Sequence, residues 1–145
     1  RNGLMFRATP QWFCNLDHNN ARAKALKALD SMKFFPEQGK NFLRATIENR
    51  WEWCLSRQRE WGVPLPALIH NDGVQIFTSQ QFINFVADGV KKEGIEYWDR
   101  VTIEELIGSG VVPSHITADT YRKEDNIIDV WFESGVSHAA VLHDN

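Results

Sequence analysis

The chain has 145 residues, 43% of them hydrophobic and 24% charged, with a net charge of −3. That length makes one ordinary domain or a piece of a larger one. The balance excludes a disordered chain and one that wraps nucleic acid by bulk charge, so any RNA contact must be local.

No apolar run approaches the length of a membrane span, and Arg1-Asn2-Gly3-Leu4 is not a signal peptide. The start lacks an initiator Met and the end at His143-Asp144-Asn145 follows a helical pattern without a stop, so both ends read as cut. Cys14 and Cys54 are too few for a disulfide framework and have no Cys or His neighbour at metal spacing. They read as buried free thiols, which suits a reducing cytosol. Six Trp and nine Phe supply core and stacking surface.

In chain order, Leu4 to Phe13 reads as extended, with Pro10 confining it to an edge or end. Asn19-Asn20 can cap a helix over Ala21 to Ser31, with Ala25, Leu26, Leu29 and Met32 as its apolar side and Arg22, Lys24 and Lys27 as a solvated face. Lys33 to Pro36 is a short extended piece, Gly39 a turn, and Lys40 to Asn49 a helix carrying Phe42, Leu43, Thr46 and Ile47. Cys54 to Glu60 reads as a short helical or turn segment. Gly62 can take backbone angles that other residues resist, and Pro64 and Pro66 stiffen an extended exit.

Ala67 to Phe77 forms a hairpin about Asp72-Gly73, where a primed turn needs positive φ. His70 there reads as a surface residue and not a ligand. Thr78 to Gln81 has the form of a capping box, opening a helix with Phe82, Ile83, Val86 and Val90 on its buried side. Lys91, Lys92 and Gly94 end that helix by cation–dipole complementarity and chain reversal, and Tyr97-Trp98 packs it down. Thr102 to Glu105 is a second capping box, for a short helix stopping near Gly108. Gly108 to Asp125 reads as an irregular surface connection. Asn126 to Phe132 reads as a buried strand, turned by Ser134-Gly135 before another helix from Ser137 to Leu142. The fold class is α/β or α+β: connective helices and a hairpin leading into Rossmann-type sequence.

Self-contained catalytic sets are not legible. There is no Walker-type loop and no Gly-x-Ser-x-Gly elbow. Ser134 and Ser137 stand near His138 without any need to face it, and Asp129 and Glu133 flank Trp131 without an acid–base role. What stands out is Trp53-Cys-Leu-Ser-Arg57-Gln58-Arg59-Glu-Trp61-Gly-Val-Pro-Leu-Pro66. Its guanidinium forks suit phosphate or carboxylate, and Gln58 adds a donor and an acceptor.

That run resembles the signature carried after the editing insertion by class I aminoacyl-tRNA synthetases for branched aliphatic amino acids. Phe6-Arg-Ala-Thr-Pro-Gln-Trp-Phe13 resembles the segment leaving the editing domain, and Asp129-Val-Trp-Phe-Glu-Ser-Gly135 the segment re-entering the catalytic Rossmann fold. The three come in the family's order, and their details resemble the isoleucine branch more than the valine one. Two positions depart from it: Trp51 stands where the family usually has Pro, and Glu133 where it usually has Asp.

The resemblance implies three segments: 1–14 as the exit of the editing insertion, 15–124 as a connective module, and 125–145 as the start of the second catalytic half. It implies a parent that activates isoleucine with ATP and Mg, charges tRNA(Ile) and edits mischarged valine. Trp131 would contact the isoleucine side chain, while Arg57, Gln58, Arg59 and Trp61 would position domains or touch the tRNA end. Neither ATP-binding signature of the family, the His-Ile-Gly-His type or the Lys-Met-Ser-Lys-Ser type, is in the chain, nor is the Thr-rich editing pocket. Alone it should be inactive and bind no cofactor, and zinc in the parent would find no ligands here. A cytoplasmic monomer without membrane contact is implied. Two other readings stay open. One is a stand-alone RNA-binding module using Arg57, Arg59, Lys91 and Lys92 with Trp51 or Trp61 for stacking; the other is a structural domain without ligand.

Overall fold

The computed structural model describes residues 3–143; the end readings at Arg1, Asn2, Asp144 and Asn145 lie outside the described residues. The chain divides into two compact units, one up to Ser56 and one from Arg57. Together they mix helices with short strands, as the expected class requires.

In the first unit, residues 3–12 form no regular element, and the expected extended run shrinks to β1, Phe13–Asn15. It pairs antiparallel with β2, Glu52–Cys54, in the register Phe13↔Cys54, Cys14↔Trp53 and Asn15↔Glu52. Both cysteines sit half-buried in this ribbon and are free thiols. A 3-10 turn at His18–Asn20 leads into α1, Ala21–Ser31. Asn20 does stand at the N-cap, but with φ +57° and no side-chain hydrogen bond to the helix. Asn tolerates this left-handed conformation better than most residues, so it contributes a bend in place of the expected cap. Helix α2 spans Gly39–Glu48, with Gly39 as its first residue and not a separate turn.

Arg22 departs from the solvated face expected of it. Its guanidinium donates Nε and Nη2 to Asp17 at 2.8 and 3.0 Å, and Nη1 to the Glu48 carbonyl at 2.7 Å. That carbonyl lies in the last turn of α2, where backbone acceptors lack helical partners. Asp30 of α1 pairs with Arg44 and Lys40 of α2. Only Leu29 on the expected apolar side of α1 is fully buried, while Met32, Phe42 and Leu43 are exposed.

The second unit holds the larger core. Strand β3, Ser56–Arg57, straddles the division between the units; within the expected helical or turn segment, Cys54 and Ser56–Arg57 are strand, and Gln58 to Glu60 is irregular with a bend at Glu60. Gly62 and two prolines break any α-helical continuation, and Arg57 and Gln58 find partners on another segment. Strands β4, Leu68–His70, and β5, Ile76–Phe77, form the expected hairpin in the register Leu68↔Phe77 and Ile69↔Ile76. Only Gly73 takes positive φ in the turn, at +72°. The Asp72 carboxylate accepts hydrogen bonds from Val74 N at 2.8 Å and Gln75 N at 3.1 Å.

Helix α3, Gln80–Glu93, is capped by Ser79, whose hydroxyl accepts from Phe82 N at 3.1 Å. Thr78 instead donates to the Pro66 carbonyl at 3.0 Å, so the expected box over Thr78–Gln81 does not form. The buried side of α3 is Phe82, Val86 and Gly89; Ile83 is exposed. Helix α4, Glu96–Arg100, presents Trp98 to the core and Tyr97 to Gly89, where a Cβ would come 2.2 Å from the ring. Helix α5, Ile103–Gly108, carries the full Thr102–Glu105 capping box.

The stretch from Gly108 to Asp125 is more than a surface connection. Val112, Ile116 and Tyr121 join Leu68, Phe82, Val86, Trp98 and Leu106 in the core. Strand β6, Tyr121–Lys123, completes a sheet of order β5-β4-β6. Its apolar residues follow no regular period, so the non-local pairing with β4 was not legible in sequence. Lys123 then reaches the C-terminal end of α4, where its ammonium donates to the carbonyls of Trp98, of Asp99 at 3.1 Å and of Val101 at 2.8 Å. Burial pushes this amine below its usual basicity.

Strand β7, Ile127–Ile128, pairs with β3. The buried strand expected over Asn126 to Phe132 stops there, because Asp129 caps α6, Val130–His138. Ser134 and Gly135 are thus helical, and a π-helical turn over Ala139–His143 follows.

Candidate functional site

The central motif is fastened to the 124–129 segment by backbone and side chains together. Ile128 N donates to the Val63 carbonyl at 2.8 Å, Leu65 N to the Asn126 carbonyl at 3.3 Å, and Pro64 bridges Ile127. Gly62 makes the approach possible. Its φ is +153°, and a Cβ there would stand 2.4 Å from Ile127 Cδ1, so the position needs both the freedom and the smallness of glycine.

Side chains extend this seam. Gln58 Nε2 donates to Asn126 Oδ1 at 2.7 Å. The Asn126 backbone N and Nδ2 both donate to Glu124 Oε1, at 2.9 and 2.8 Å, which helps satisfy a carboxylate inside the unit. Arg57 Nη2 donates to Asp129 Oδ2 at 2.6 Å. The Asp129 side chain is 4% exposed and that of Arg57 38%. Asp129 Oδ1 meanwhile accepts from Trp131 N at 3.1 Å, so one carboxylate both caps α6 and receives the guanidinium.

Trp131 therefore stands in the first turn of a helix, not at the end of a strand, and is 73% exposed. It lines an open depression of about 460 Å³ together with Arg57, Arg59, Trp61, Ile128 and Glu133. Trp61 is 75% exposed. Two tryptophans, aliphatic side chains, two arginines and acidic residues on one concave surface suit a small amphipathic ligand. Arg59 and Trp61 also line a second depression of about 280 Å³ that reaches Trp98 and Lys123. Arg59 Nη1 donates to its neighbour's carbonyl, Gln58 O, at 3.1 Å.

All five sequence-derived site residues thus fall in one unit, and four of them, Arg57, Arg59, Trp61 and Trp131, line the same depression. Gln58 lies in the seam and lines a neighbouring hollow with Arg59 and Asn126. Sequence reasoning gave Asp129 no role. A signal was present, since Asp two residues before Trp131 has the form of a helix cap, but its reading as strand hid it.

The other readings resolve locally. Ser137 Oγ donates to the Ser134 carbonyl and His138 Nδ1 lies 2.9 Å from the Gly135 carbonyl, so neither serine hydrogen-bonds that imidazole. His70 is less of a surface residue than expected: it is half-buried, pairs with Asp72 at 3.0 Å and meets the Tyr121 ring edge-on. Lys91 and Lys92 lie exposed in the last turn of α3. Among the described residues, no three His, Cys, Asp or Glu are grouped to hold a metal ion, and no helix is long and apolar enough to cross a membrane.

In the first unit the Phe6–Phe13 motif meets the start of the central one. Ser56 Oγ donates to Gln11 Oε1 at 2.7 Å and accepts from Trp12 N at 2.8 Å, and Leu55 N donates to the Trp12 carbonyl at 2.8 Å. Motifs that stand far apart in sequence are therefore hydrogen-bonded neighbours within each unit.

Comparison with known proteins identifies the family. The family model for tRNA synthetases class I (I, L, M and V) matches residues 3–145. The isoleucine–tRNA ligase of Pelagibacter ubique is 41% identical over 139 residues, covering 96% of this chain and 15% of its own length. That of Persephonella marina is 39% identical over 149 residues, covering 98% and 16%. That of Vibrio campbellii is 40% identical over 140 residues, covering 96% and 14%. The chain spans roughly a seventh of the length of these curated relatives. With its three motifs in the family's order and the family model matched almost from end to end, the chain belongs to the class I tRNA synthetases of the isoleucine, leucine, methionine and valine group.

Proposed function

We propose that the chain is part of an isoleucine–tRNA ligase, whose parent activates isoleucine with ATP to isoleucyl-adenylate, transfers it to tRNA(Ile) and edits mischarged valine. The identity to ligases of that name along nearly the whole chain supports the reading. The observation that carries the site is the depression shared by Trp61 of the second motif and Trp131 of the third.

Trp131 contacts the aliphatic side chain of isoleucine, and Trp61 closes the same apolar wall. Such a wall separates substrates differing by one methylene by only about 1–3 kcal/mol, which is why the parent edits valine elsewhere. Arg57 and Gln58 are positioning residues, committed to Asp129 and Asn126. Arg59, exposed at the rim of the depression, is the member of the cluster suited to a phosphate of the tRNA acceptor end. ATP enters with Mg through parts of the parent beyond this chain, which carries neither nucleotide signature. Segments 1–14, 15–124 and 125–145 serve as editing-domain exit, connective module and catalytic re-entry of a cytoplasmic, monomeric enzyme.

The test is amino-acid-dependent ATP–pyrophosphate exchange by the parent, comparing isoleucine, valine and leucine. Exchange strongest with isoleucine is expected. Absence of exchange with all three contradicts the proposal.

A further inference from the structure

We propose that Arg57 is a positioning residue for substrate selection, acting on Trp131 through the Asp129 carboxylate. The inference rests on the isoleucine-binding reading of Trp131.

Three observations carry it. First, the chain of contacts is short and directional. Arg57 Nη2 donates to Asp129 Oδ2 at 2.6 Å, and Asp129 Oδ1 accepts from the backbone N of Trp131 at 3.1 Å. Second, Asp129 is the hinge between β7 and α6, so its orientation sets where the helix begins. Its own carbonyl accepts from Phe132 N at 2.8 Å and Glu133 N at 3.4 Å. Third, the carboxylate is almost fully buried. A buried carboxylate is held in place by its partners more than by water, and loss of a charged partner leaves it to reorient.

The Trp131 indole, by contrast, is mostly exposed and is not itself locked into the core. The position from which it projects follows from the first turn of α6, and that turn is capped by Asp129. A wall residue displaced by about 1 Å can cost about 100-fold in a positioned reaction, so even a small rotation of this turn would be read as weaker and less selective amino-acid binding. The bond also joins the second motif to the third, so the arginine, which lines the depression itself, also orients the turn that carries its Trp131 wall.

The experiment uses the full-length parent carrying Arg57→Ala, Arg57→Lys or Asp129→Asn, assayed by ATP–pyrophosphate exchange. Arg57→Ala is expected to raise KM for isoleucine about 10-fold or more, to leave KM for ATP within about twofold, and to narrow the preference for isoleucine over valine. Arg57→Lys, which keeps the charge but not the fork, should recover part of that KM. Asp129→Asn keeps an acceptor for Trp131 N while losing the ion pair, and should shift KM in the same direction. It carries the test if Arg57→Ala yields too little folded enzyme. A purely structural role would lower the amount of active enzyme with KM for isoleucine and the valine discrimination unchanged; that result overturns the proposal while leaving the ligase reading intact. A wild-type parent silent with every amino acid overturns both.

Discussion

Arg57 and Asp129 lie 72 positions apart and meet at 2.6 Å, on a carboxylate that also caps the helix bearing Trp131. Two of the three family motifs thus share one buried acid. Replacing Asp129 by Ala removes the cap and the ion pair at once. A lost cap costs about 0.5–2 kcal/mol, and the partly exposed Arg57 can turn to water, which limits the remainder. The expected loss is about 1–3 kcal/mol, with Asp129→Asn costing less. Urea unfolding of the two variants beside the wild type measures both; equal stability of wild type and Asp129→Ala would contradict it.

Gly89 and Gly73 separate two uses of glycine. A methyl group on Gly89 would enter the Tyr97 ring. The gain of about 1 kcal/mol in helix propensity is then outweighed by overpacking of about 1–3 kcal/mol. Gly89→Ala should destabilise, and adding Tyr97→Ala should remove that penalty, because the two sites share one contact. Gly73 has open space around it but φ +72°, so Gly73→Ala should cost about 1–2 kcal/mol through the backbone alone, with no rescue by any neighbour. Denaturation midpoints of Gly89→Ala, Tyr97→Ala, the double variant and Gly73→Ala decide this.

The hairpin turn should respond to acid. Backbone N–H donors of Val74 and Gln75 hold the Asp72 carboxyl well below its usual value of 3.8. A carboxylate depressed in the folded state stabilises it above the unfolded value, and that contribution is lost as pH falls through the folded one. Amide exchange at Val74 and Gln75 should therefore accelerate, relative to distant amides, only below about pH 4. The same acceleration beginning near neutrality would contradict the assignment to Asp72.

How far the sequence reached depends on the range of each interaction. The Thr102–Glu105 capping box is closed by residues three positions apart and was legible. So were the hairpin about Gly73 and the end of α3 at Gly94, where local conformation decides. The core role of Val112, Ile116 and Tyr121 was not, because it depends on β6 pairing with β4 about fifty residues earlier. The motif residues of the site were legible as a resemblance, yet their geometry was not. Cys54 to Glu60 suggested a short helical or turn segment, yet Ser56–Arg57 is strand and the residues after it are irregular, since partners on the 124–129 segment take up Arg57 and Gln58. Trp131 suggested a strand end and stands on a helix, since Asp129 stops the strand.

The proposed role of Trp131 as a wall of the isoleucine site is tested most directly by one comparison. The parent enzyme and its Trp131→Ala variant would be assayed for isoleucine-dependent ATP–pyrophosphate exchange, with circular dichroism as the control for folding. Because the side chain is largely exposed, the variant should fold as the wild type does. Its kcat/KM for isoleucine should fall about 10- to 100-fold, the range expected for losing about 1–3 kcal/mol of apolar contact. A folded variant with unchanged kcat/KM would contradict the assignment of the pocket.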